Sequence, residues 1–220
     1  MKQEINPKDT SRGQAFELWM KSPMPMVTLT KTFDVTRLRR VSRRRNIRSA
    51  FGRLLPEGRK KFNLLLCWCI GMAASRMEEF YLLPECGKLY KYDRLAINVI
   101  VNNKAGGISS CDIPYTDDLD KFCSDYMVLT QAASLSCQSS FVNDAMVIGT
   151  SAMTATELDC IVNQYTNQFC NPMVLWGRYR KGWLKTTLPI SFQFHHVQMD
   201  GGHAARFLEE LQKTINTIRV

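Results

Sequence analysis

Apolar and polar positions alternate from Met26 to Val35, with Val27, Leu29, Phe33 and Val35 on one side, which is the period-two pattern of a half-buried strand. Asp34-Val-Thr36 then supplies helix-start chemistry ahead of Leu38 and Val41, which sit among arginines. Phe62 to Phe80 is apolar nearly all round for three turns and predicts a helix buried against a sheet. Phe80-Tyr-Leu-Leu and Leu89-Tyr-Lys-Tyr flank Pro84-Glu-Cys-Gly87, a hairpin signal. Leu95, Ile97, Val99 and Val101 alternate along another strand, Gly106-Gly107 marks a turn, and Leu119, Phe122, Tyr126 and Leu129 recur at helical spacing within 117–136. No internal repeat and no long linker divides the chain, so the pattern predicts one α/β domain over residues 1–220 with a mixed, hairpin-rich sheet.

The last thirty-odd residues carry the most chemistry. Leu188, Ile190, Phe192, Phe194 and His196 share one face of a strand, and Pro189, Ser191, Gln193 and His195 share the other. Asp200-Gly201-Gly202 supplies a turn, and Ala204, Phe207, Leu208, Leu211 and Ile215 line one side of a following helix. His196 therefore ends an apolar stripe at the edge of the packed interior. Partial burial there keeps an imidazole neutral, the state a general base needs, although a satisfied core histidine fits the same pattern. On average residue usage, His-His-x-x-x-Asp-Gly arises by chance in roughly one chain of this length in a few thousand.

Composition narrows the class without naming a reaction. With 45% hydrophobic and 22% charged residues, the 220-residue chain is neither disordered nor fibrous. Its longest apolar run is too short for a bilayer and no apolar leader opens it, which predicts a cytoplasmic protein. The net charge of +9 is concentrated in one place. Eleven basic residues lie between Arg37 and Lys61 against one acidic residue, Glu57, so the remainder is near neutral. That segment reads as a solvated Arg-rich face, a site for a phosphorylated small molecule, or a nucleic-acid contact; few aromatics interleave it, which argues against single strands. Eight cysteines show no Cys-x-x-Cys and no partner pairs at metal-ligand spacing, so they are expected to be reduced thiols, with no metal bound.

HHVQMDGGHAARF resembles the signature of the chloramphenicol acetyltransferases almost residue for residue. Arg12 with Phe16-Glu17 and Trp19, Asp34-Val-Thr36, Pro114-Tyr115, Asp118-Leu-Asp-Lys-Phe122 and Thr150-Ser151-Ala152 resemble further stretches of that family, so the likeness covers nearly the whole chain. A looser likeness extends to the acyltransferase cores of 2-oxoacid dehydrogenase complexes. The resemblance implies a two-layer sandwich, a mixed, largely antiparallel sheet packed by helices, with a basic insertion around 37–61.

It also implies roles. His196 would deprotonate a substrate hydroxyl that attacks acetyl-CoA, and Ser151 would stabilise the oxyanion. Arg12 and Asp200 would pair to support the loop. Lys60, Lys61 and Arg178 would hold the phosphates of CoA, with Tyr179 stacking on adenine. Trp19, Val27, Ile108 and Leu175 occupy acceptor-contact positions where the family usually has other residues, as does Gly202 after Asp-Gly. The implied reaction is O-acetylation of chloramphenicol, an antibiotic-resistance activity; the departures leave open another hydroxyl or amine acceptor, or a non-catalytic relative binding nucleic acid through its arginines. A homotrimer with active sites at subunit boundaries is the implied assembly.

Overall fold

The computed structural model describes residues 1–44, 59–166 and 169–219. Most of the basic insertion, 45–58, lies outside the described residues, as do the side chains of 59–61. The chain opens with β1 (Lys2–Ile5), α1 (Gly13–Trp19), β2 (Met26–Asp34) and α2 (Thr36–Arg44). Then come the buried helix α3 (Arg59–Ala74), the hairpin β3 (Leu82–Glu85) and β4 (Lys88–Tyr92), and the antiparallel pair β5 (Leu95–Asn102) and β6 (Ile108–Pro114). Helix α4 (Leu119–Ser136) leads to β7 (Met146–Ala152), β8 (Met173–Trp176) and the short β9 (Arg180–Lys181). The long strand β10 (Thr186–His195) and helix α5 (Gly201–Thr217) complete the order.

A mixed sheet in the order β2-β10-β8-β7-β5-β6 forms one layer, with β9 added beside β10. Only β7 runs parallel to its neighbours, β5 and β8; the other pairs are antiparallel. The alternation in β10 decides which side is which. Leu188, Ile190, Phe192 and Phe194 are fully buried under the helices. Phe192 meets Phe80 and Phe207 there, at ring separations of 5.9 and 4.6 Å. The intervening Ser191 and Gln193 face the other way, bonding Thr30 and Thr28 of β2. α3 is buried on nearly all sides because α2, α4 and α5 surround it above β5 and β7. Burial pushes its Cys67 thiol up to about 12, and none of the eight cysteines, all among the described residues, forms a disulfide.

The helix expected to reach Phe80 stops at Ala74. The Ser75 hydroxyl donates to the Met72 carbonyl, and a single 3-10 turn follows at Glu78–Tyr81. This break folds Phe80 back into the core instead of carrying it along the helix axis. A second, three-stranded sheet in the order β1-β4-β3 stands beside the main one. Its Leu82 and Leu89 pack with Val197, Ile5, Phe16 and Met20, so it braces α1 and the loop after β10.

Candidate active site

Every backbone turn of the loop after β10 is tied down. The His196 N–H donates to the Pro25 carbonyl at 2.8 Å. The Arg12 guanidinium, only 4% exposed, donates to the carbonyls of His196 at 3.0 Å and Val197 at 2.9 Å and reaches the Asp200 carboxylate at 3.2 Å. Val197 and Met199 are fully buried, and the buried Gln198 amide donates to the Leu82 carbonyl. A cation that serves three acceptors of one short loop fixes its path; each such charge-assisted bond is worth about 1.5–3 kcal/mol.

Asp200 closes the loop as the N-cap of α5, accepting from the N–H groups of Gly202 and His203. The His203 ring answers by accepting from the Asp200 N–H and also meets the buried Glu79 at 3.0 Å. Burial alone would raise the Asp200 carboxyl; the His203 N–H, the His203 ring and Arg12 outweigh it and hold the group below the ordinary carboxylate range. Asp200 does not touch the His196 side chain. It acts on the loop, not on the ring.

The two adjacent histidines have opposite surroundings. Strand β10 ends at His195, one residue before the expected end, and His195 is only 1% exposed. Its Nδ1 accepts from the Val197 N–H at 3.1 Å, and burial, reinforced by the neighbouring His196, pulls its pKa down to about 4. His196 lies just past the strand and is partly exposed. Its ring stacks on Trp19 at the end of α1, with centroids 4.6 Å apart and planes 9° apart. Its Nδ1 is buried without a hydrogen-bond partner. A half-open imidazole held flat against an indole can exchange a proton with a bound molecule.

Ser151 is partly buried on β7, on the sheet face turned away from the helices. Register places it level with Leu175 of β8, and Leu175 level with Ser191 of β10, five residues before His196. At roughly 3.3 Å per residue and 4.8 Å per strand, Ser151 and His196 are on the order of 19 Å apart within one chain. One chain does not bring them together.

The four acceptor-contact candidates are also dispersed. Trp19 touches His196; Val27 pairs with Phe194 and packs into the core; Leu175 is buried beside Ser151; Ile108 is 68% exposed at the start of β6. Arg178 and Tyr179 lie beside Phe62 and Asn63 near the head of α3, where Tyr179 meets Phe62 at 5.1 Å and Arg39 lies over the Tyr179 ring at 5.8 Å. A helix start with cationic side chains nearby suits phosphate oxygens. The side chains of Lys60 and Lys61 lie outside the described residues.

A broad cleft, missed in the sequence, opens on the sheet face that carries Ser151. Val147 and Gly149 of β7, Met173 of β8, Gln193 of β10, Asn98 of β5 and Asp112 of β6 form its floor. The signal was present: Ser110 and Asp112 alternate with the buried Cys111 and Ile113. Among the described residues no group of three or more His, Cys, Asp or Glu side chains is placed to hold a metal ion. No described helix is long and apolar enough to cross a membrane.

A partly exposed histidine thus sits on a clamped loop at the end of β10, next to the edge strand β2 of the mixed sheet. The chloramphenicol acetyltransferase family model matches residues 4–212. The chain is similar to chloramphenicol acetyltransferase 3 of Escherichia coli, at 23% identity over 96% of this chain and 95% of the relative. It is likewise similar to the chloramphenicol acetyltransferase of Clostridium perfringens, at 24% over 98% and 99%. A solved chloramphenicol acetyltransferase superposes with a TM-score of 0.72 over 98% of both chains at 18% identity. A probable dihydrolipoamide acetyltransferase from Listeria monocytogenes superposes at 0.69, covering 97% and 93% at 13% identity. The chain belongs to the chloramphenicol acetyltransferase family, whose members use acetyl-CoA as co-substrate, and is an enzyme of the acyltransferase class.

Proposed function

We propose that this enzyme moves an acetyl group from acetyl-CoA to the hydroxyl of a small alcohol, with chloramphenicol as the reference acceptor. The observation that carries this reading is the Arg12 clamp, which presents His196 half-exposed against Trp19. The His196 ring takes the hydroxyl proton as the acceptor oxygen attacks the thioester carbonyl. Ser151 donates to the oxyanion of the tetrahedral intermediate. The carbon–sulfur bond then breaks and the imidazolium returns its proton to the departing thiolate, giving the acetyl ester and free CoA thiol.

The phosphates of CoA lie along Arg178 and the head of α3, with Lys60 or Lys61 contributing and Tyr179 against the adenine. Because Ser151 and His196 stand apart within one chain, the working unit is a homotrimer in which one subunit's His196 meets the next subunit's Ser151. Cytoplasmic antibiotic inactivation is the corresponding biological role.

The test is release of free thiol from acetyl-CoA with purified protein and chloramphenicol. Turnover is expected to fall by about 10²–10⁴ in His196→Ala. Thiol release that His196→Ala leaves unchanged would remove His196 as the base.

A further inference from the structure

The cleft beside Ser151 has a feature that the acetyl-transfer reading does not use. Asp112, on the floor strand β6, is only 7% exposed and lines the cleft. Its two carboxylate oxygens accept from neutral donors, the Asn98 side-chain amide at 2.7 Å and the Val142 N–H at 2.9 Å. Among the described residues no lysine, arginine or histidine forms an ion pair with it. The other charged groups of the cleft, Lys2 and Glu85, are paired with each other. A carboxylate withdrawn from water without a counter-cation is costly, and a cationic ligand entering the cleft offsets that cost.

Position ties this carboxylate to the reaction. Val147, Gly149 and Ser151 occupy successive same-face positions of β7, and Met173 and Leu175 do so on β8. The cleft floor at Gly149 therefore stands one pleat, roughly 7 Å, from Ser151, and Asp112, two strands across from Gly149, is on the order of 12 Å from Ser151. Phe141, Val147, Phe169 and Met173 give the cleft an apolar body, and Asn163 and Gln193 give it hydrogen-bonding edges. Gly149 matters for this shape. A Cβ there would meet the Met173 sulfur at 1.9 Å, so the glycine lets Met173 lie flat across the floor.

We propose that Asp112 makes this cleft a site for an alcohol that carries a protonated amine, so that the natural acceptor is a cationic amino alcohol acetylated on oxygen. An ammonium held by Asp112 keeps its proton and has no free electron pair, so it is not the nucleophile. The hydroxyl, which His196 deprotonates, is. This inference rests on the acetyl-transfer reading for the reaction, but not for binding.

A matched pair of acceptors tests it: chloramphenicol, whose nitrogen is a neutral amide, and the parent nitrophenyl aminodiol, whose nitrogen is a free amine protonated near neutral pH. Each is assayed by thiol release with acetyl-CoA and by calorimetric binding without it. The aminodiol is expected to exceed chloramphenicol in kcat/KM by roughly tenfold or more, the range of a charged hydrogen bond. That ratio is expected to collapse in Asp112→Asn. Asn143→Lys, at the exposed rim next to Val142, is a second variant in case Asp112→Asn fails to fold; its cation should lower the ratio by competing for Asp112. A preference for chloramphenicol, or a ratio that neither variant moves, would overturn the proposal while leaving acetyl transfer intact. Aminodiol binding that depends on Asp112 without any thiol release would retain the cationic site and discard the acetyl-transfer reading. Absence of both overturns the proposal.

Discussion

One residue step separates the buried His195 from the partly exposed His196. His195 is buried and accepts from the Val197 N–H, a bond that only an unprotonated Nδ1 can make. Its folded pKa of about 4 lies below the ordinary value of 6.5. Between those two values the unfolded chain binds a proton that the native state refuses. Stability contributed by neutral His195 is thus full above pH 6.5 and is lost as pH falls toward about 4, on the order of 3 kcal/mol in all. Urea melts across that window should show the midpoint dropping with acidification. The drop should be smaller in His195→Asn, whose amide oxygen can take the same N–H but has no proton to gain. Equal slopes in the two proteins would contradict this assignment. The sequence placed His195 on the face opposite His196, yet it did not show how deeply His195 is covered. The residues around it, Met20 to Pro23, Cys86-Gly87, Tyr165 and Cys170, come from distant parts of the chain.

At the scale of elements, close approach decides where substitutions are tolerated. In α3, a Cβ on Gly71 would meet the Tyr115 ring at 2.2 Å, so the helix presents bare backbone to that ring. Alanine improves helix propensity by about 1 kcal/mol, but overpacking a fixed ring costs about 1–3 kcal/mol. Gly71→Ala is expected to lower Tm by a few degrees, roughly 2–4 °C per kcal/mol for a chain of this size. A rise in Tm would mean that Tyr115 swings aside freely. Strong periodicity made β2, β5, β10 and α5 legible in the sequence. By contrast, β7 and β8 carry apolar residues on both faces and show no alternation, and β1 is too short and exposed to show any. The break after Ala74 was hidden for a related reason: an apolar run looks the same whether it continues as helix or turns back into the core.

For the whole molecule, the separation of Ser151 from His196 makes a quantitative claim about assembly. In the proposed homotrimer, co-expressing His196→Ala with Ser151→Ala chains gives mixed assemblies from two impaired parents. If each site draws its base from one subunit and its oxyanion donor from the next, about one site in four receives both intact groups when chains mix at random. Activity near a quarter of wild type is the expected outcome in the thiol assay. Activity no higher than the average of the parents would mean that each chain completes its own site. The motif HHVQMDGG made His196 and its loop readable, because they lie within one short stretch; only the family resemblance pointed to Arg12, which reaches that loop from 184 residues away. The cleft was not readable, since its floor is assembled from five strands and only the sheet order shows which residues become neighbours.

The alternation in those strands has a consequence for how such an enzyme changes over generations. In β6, β7 and β10 one set of side chains fills the core and the next set faces the cleft. Selection for a folded chain and selection for a particular acceptor therefore act on interleaved, nearly independent letters of the same words. A lineage can rewrite Asn98, Asp112 or Gln193 to suit a new metabolite while Cys111, Ile148 and Phe192 continue to hold the sheet together.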